Sequence, residues 1–163
     1  MEINEKVVLK TLKTLLLELI DGPPGMSCWI LNHDSAGLIV TLKQLAVETA
    51  CKKPTPQRKS IAAHAQHVLY SLELLNRWAA GEPNVFQTAD WAAAWTDDQL
   101  AQEEWYTITR DLEIKAHSWM RRMQEPREWD ELAFTGTIAS VAHVAYHLGA
   151  INQIANDVDP DSE

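Results

Sequence analysis

The sequence predicts an all-α protein, an antiparallel helical bundle, on three observations. Apolar residues recur every three to four positions over long stretches, as one face of a helix requires. Proline and glycine cut those stretches into separate segments. No segment alternates apolar and polar residues over a strand's length, so sheet content should be near zero.

Each helix has its own signals. Residues 4–20 repeat apolar side chains at Val8, Leu12, Leu15, Leu16 and Leu19, and Gly22-Pro23-Pro24-Gly25 stops them. After a loop through Trp29 and Asn32, a second helix is expected from about Asp34 to Ala50, with Leu38, Leu42 and Leu45 on one face. Lys53-Pro54-Thr55-Pro56 ends it. Ser60 is a natural N-cap for a third helix over 60–81, whose inner stripe is Ile61, Ala65, Val68, Leu72, Leu75 and Ala79. Residues 82–95 read as irregular. Thr96-Asp97-Asp98-Gln99 fits a capping box for a fourth helix reaching Met123, with Ala101, Trp105, Ile108, Leu112, Ala116 and Trp119 facing inward. A fifth, at about 136–156, lies in a stretch with no charged residue between Glu131 and Asp157.

At 163 residues the chain is most simply one structural domain. Its net charge of −9 argues against nucleic acid, since phosphate binding needs a basic patch. The uncharged 132–156 stretch is long enough for a bilayer, but its histidines, Asn152, Gln153 and acidic flanks argue against a span. Cys28 and Cys51 form no zinc or redox motif and suit a reducing cytoplasm. The expected location is therefore cytoplasmic.

Two histidine pairs dominate the functional reading. His143 and His147 are four apart in the uncharged helix, which brings both imidazoles to one face. His64 and His67 are three apart in the third helix. His64 lies about 40° from Val68 on a helical wheel, inside the apolar stripe, and His67 about 100° from it, beside Ser71 and Trp78. Gly136, Ser140 and Ala150 are expected to leave a cavity beside the fifth-helix pair. Several imidazoles facing one core are costly to satisfy from helical backbone, and one divalent cation satisfies them together. Three protein ligands with a fourth position open is the pattern of catalytic zinc. His33 and His117 are expected to be structural or exposed. Glu-x-x-His and His-Glu-x-x-His are both absent, which excludes di-iron bundles and zinc proteases of those types.

The stretches Ser60-Ile-Ala-Ala-His-Ala-Gln-His-Val-Leu-Tyr70, Leu74-Leu-Asn-Arg-Trp-Ala-Ala-Gly-Glu82 and Ala142-His-Val-Ala-Tyr-His-Leu-Gly-Ala-Ile151 resemble the DinB-like (DNA-damage-inducible) superfamily. That resemblance covers roughly 34–156. It implies a four-helix bundle over 34–157, commonly a homodimer, with residues 1–33 as an additional N-terminal helix and loop packed on it. It also implies a metal site of one histidine from the second bundle helix and an H-x-x-x-H pair from the last. Here those positions are His67, His143 and His147, with His64 the weaker candidate or a partner to a ligand. Many members follow the pair with Arg-Gly-Gln, where this chain has Leu148-Gly149-Ala150.

The resulting expectation is a divalent-metal-dependent enzyme of hydrolase or thiol S-transferase type, using zinc or nickel ahead of iron or manganese. Its substrate would be a small molecule or low-molecular-weight thiol. The alternative is a non-enzymatic bundle that binds a small molecule or metal. Glu48 and Asp111 are the carboxylates considered as a general base, and Trp78 is the tryptophan considered for the pocket; no catalytic residue is assigned.

Overall fold

The computed structural model describes residues 4–95 and 99–159. Within them the chain is all-α: α1 (Glu5–Asp21), α2 (Leu38–Gln44), α3 (Val47–Cys51), α4 (Ile61–Ala79), α5 (Gln102–Arg122) and α6 (Glu131–Val158). No strand occurs among the described residues. The four long helices α1, α4, α5 and α6 pack together as in a bundle, with α4 lying along both α5 and α6. The fourth long element is therefore α1, which packs on α5 and α6 and sends Leu12, Leu16, Leu19 and Ile20 into the core.

The helix expected over 34–50 is two short helices. Gly37 crosses the end of α1 so closely that a Cβ there would lie 2.2 Å from Gly22 N and 2.7 Å from Ile20 O. That crossing holds the chain extended until α2 begins. At Leu45 and Ala46 the backbone is again extended, and the Leu45 carbonyl accepts from Trp105 Nε1 at 3.2 Å. A tertiary bond from a buried tryptophan thus takes a carbonyl that a continuous helix would have used. Gly37→Ala should lower stability by about 3 kcal/mol, because backbone rather than a flexible side chain must give way. Chemical denaturation would measure it, and an unchanged midpoint would contradict the close crossing.

Two helix starts differ from expectation. The proposed cap at Thr96-Asp97-Asp98 lies outside the described residues, and α5 begins only after Ala101, which is exposed rather than inward-facing. There the Ala101 N–H donates to the Glu104 carboxylate at 2.7 Å, so Glu104 supplies the reciprocal bond of a capping box. Helix α6 starts five residues before Gly136, because Asp130 Oδ1 caps it through Ala133 N at 2.8 Å. Ser60 caps α4 as the sequence predicts, through Ala63 N.

Buried polar side chains tie the helices together. Asn76 Nδ2 donates across to Lys115 O at 2.9 Å, joining α4 to α5. Trp119 Nε1 donates to Ser140 Oγ at 3.0 Å, joining α5 to α6. Glu18, only 1 % exposed, accepts from the backbone N–H groups of Trp29, Ile30 and Leu31 at 2.7–3.0 Å. No helix among the described residues is long and apolar enough to cross a membrane.

Candidate metal centre

Helices α4 and α6 present their histidines to each other. Position 67 lies two turns inside α4, and positions 143 and 147 share one face of α6. His143 Nε2 stands 3.2 Å from His67 Nε2 and 3.0 Å from His147 Nε2. Ligand nitrogens of all three lie within 4.8 Å of one another. The structure thus brings His67, His143 and His147 into one group that could hold a metal ion. Two nitrogens bound at about 2.0–2.1 Å to one ion stand about 2.9 Å apart at a right angle and about 3.3 Å apart at the tetrahedral angle. The two spacings to His143 Nε2 fall in that interval.

Proton counting points the same way. A ring nitrogen carries either one proton or one lone pair, so His143 Nε2 can make at most one well-aligned hydrogen bond with its two imidazole neighbours. Ser71 narrows the choice. Its hydroxyl proton is donated to Val68 O at 2.9 Å, so its oxygen receives His143 Nδ1–H at 3.3 Å. That tautomer leaves a lone pair on His143 Nε2, aimed at the other two rings. A cation takes lone pairs from all three at once.

The rings are held from outside by different means. His143 has Ser71. His147 Nδ1 meets His64 Nδ1 at 2.8 Å. Among the described residues the buried His67 Nδ1 has no hydrogen-bond partner, and Trp95 stacks on that ring at 4.1 Å between centroids, with 15° between planes. Trp95 also reaches His64 and His147, at 5.3 and 5.8 Å. Trp91 lies 6.0 Å from His67. Both tryptophans come from the irregular 82–95 segment.

The expectation for Trp78 is corrected by this arrangement. Trp78 packs on Trp119 and under the Arg127 guanidinium, about 16 Å along α4 from position 67 at 1.5 Å per residue. The tryptophans beside the histidines are Trp91 and Trp95, whose four-residue spacing in a loop gave no helical cue. Two of the small residues expected to leave a cavity beside the pair lie elsewhere or are engaged. Gly136 is exposed with open space at its Cβ, and Ser140 is bonded to Trp119. Glu48 lines a cleft with Cys51, Lys52 and Leu100, and Asp111 pairs with Arg110. Neither bonds to a histidine among the described residues. His117 pairs with Asp21 at 3.1 Å, and His33 is exposed.

Burial pushes all four site histidines below the ordinary imidazole value of 6.5. For His67, burial and then the neighbouring His143 and His64 bring it to about 4. For His147, burial and then His143, His64 and His67 bring it to about 3. The unfolded chain therefore binds more protons than the folded one below pH 6.5. Their favourable contribution is complete above that value and is lost as pH falls through the folded values. Metal-free protein should lose melting temperature between pH 6.5 and 5, before the carboxylates titrate. A flat profile there, or an equal slope in His67→Leu, would contradict this assignment.

Set against family models, curated proteins and solved structures, the chain finds no match in any of the three.

Proposed function

We propose that this protein is a divalent-metal-dependent enzyme of hydrolase or thiol S-transferase type, as its resemblance to the DinB-like superfamily implies. One observation carries the reading: three imidazole nitrogens within 4.8 Å of one another, two of the pairs at 3.0 and 3.2 Å, with Ser71 positioned to hold His143 in the ligating tautomer. His67, His143 and His147 would hold the ion. Zinc or nickel suits a neutral, all-nitrogen donor set, ahead of iron or manganese. The ion's contribution would be to lower the pKa of a bound water or thiol toward neutrality. The chain's own residues would orient the ligands and, through Trp91 and Trp95, flank the reacting group with aromatic surface. A low-molecular-weight thiol is the proposed substrate class, and a homodimer the proposed assembly.

One departure favours the second reading, a bundle that binds metal without turnover. Where many family members place arginine after the histidine pair, Leu148 is buried in the core and offers no contact to an anionic substrate. Elemental analysis of protein purified without a histidine tag decides the first question. About one tightly bound divalent ion per chain is expected, and less than one for every few chains overturns the metal reading. With metal present, turnover of small thiols with electrophilic acceptors, or of hydrolysable substrates, supports the enzyme. Failure across both panels leaves the binding protein.

A further inference from the structure

We infer that His64 is the positioning residue of the metal centre, accepting the Nδ1 proton of His147 so that His147 Nε2 is left as a ligand. The inference rests on the metal site proposed above. His64 lies in the first turn of α4, one turn before His67, where the Ser60 cap starts the helix. Its side chain is 8 % exposed, that of His147 is 2 % exposed, and their Nδ1 atoms are 2.8 Å apart. Only one proton can lie between two ring nitrogens at that distance, so one ring donates and the other accepts.

An ion on His147 Nε2 fixes the direction. A neutral imidazole that gives its Nε2 lone pair to a metal carries its proton on Nδ1. His147 then donates, and His64 presents a lone pair on Nδ1 and its own proton on Nε2. The Trp95 indole stands edge-on to the His64 ring at 5.3 Å and 88°, limiting its rotation. Ligating histidines ordinarily give this second proton to a carboxylate, a carbonyl or water. Here the acceptor is a neutral imidazole. A carboxylate at this point would add a negative charge beside the ligand, whereas His64 leaves the positive charge of the centre undiminished.

The test is zinc affinity, by chelator competition on the full-length untagged chain, for wild type, His64→Leu and His64→Asn. Leucine fills the buried space without an acceptor, while asparagine restores an acceptor near the Nδ1 position. His64→Leu should bind zinc 10–100-fold more weakly, as loss of an outer partner typically costs, and His64→Asn should return to within about threefold of wild type. Imidazole nitrogen NMR of the zinc-loaded wild type should show His147 protonated on Nδ1 and His64 on Nε2. Equal affinity in wild type and folded His64→Leu overturns the inference while leaving the metal site intact. So does an asparagine variant as weak as leucine, or the opposite pair of tautomers. Wild type that binds no zinc removes the metal centre, and this role with it.

Discussion

His143→Ala should abolish tight metal binding, weakening zinc affinity by more than about 100-fold, beyond the upper end of what losing an outer partner costs. His143 Nε2 is the nitrogen that stands within 3.2 Å of both other ligands, so its loss leaves two donors on different helices. The ring is only half-buried, and its truncation should cost the metal-free fold little. Thermal denaturation separates the two effects. Zinc at about 100 times its dissociation constant should stabilise wild type by about 2.7 kcal/mol through mass action, and should not stabilise the variant. A variant that still gains melting temperature with zinc would place the ion elsewhere.

Glu18→Leu should be among the most destabilising single changes in the chain, at about 3–5 kcal/mol. Burial alone would push the Glu18 carboxyl up. The N–H groups of Leu31, Ile30 and Trp29 hold it below the usual range instead. Leucine would leave those three donors without their acceptor. Glu18→Gln should cost less, about 1.5–3 kcal/mol, because its carbonyl oxygen still accepts while the amide nitrogen faces a donor. With a depressed folded value, Glu18 contributes above its unfolded value of 4.5, and that contribution disappears as pH falls through the folded value. Urea denaturation at pH 7 ranks the variants, and a glutamine variant as damaged as leucine would show that charge, not geometry, holds the 29–31 segment.

Neither the Glu18 anchor nor the aromatic side of the site was legible in the sequence, and for a common reason. Helical periodicity reports which face of a segment is apolar, so it located α1, α4 and the body of α5 and α6, and it put His143 and His147 side by side. It carries no information about backbone that is paid attention by another element. The break at Leu45–Ala46 depends on an indole sixty positions away, and the extended run before α2 depends on Gly37 passing Gly22. A glutamate in an amphipathic helix looks like a solvated face until the loop that closes on it is known. Trp91 and Trp95 were hidden in the same way, in a segment with no periodicity to read. Ser71 was visible as a neighbour of His67 on the wheel, but its partner is on α6.

Helix α6 carries two of the three proposed ligands, and it is tied to its surroundings near its middle and near its end. Asp130 caps its start, the Trp119–Ser140 bond ties its middle to α5, and Arg58 holds Asp157 near its end at 2.6 Å. A slip of one residue would advance the helix by about 1.5 Å and turn it by about 100°, carrying both imidazoles off the α4 face. The Ser140 contact lies one turn before His143, and the Ser71 hydroxyl meets the His143 ring itself from α4. Damage at either end of the helix should therefore fray that end without changing the registration of the histidines, whereas losing the serine contacts from α5 and α4 together would free the stretch that carries both imidazoles.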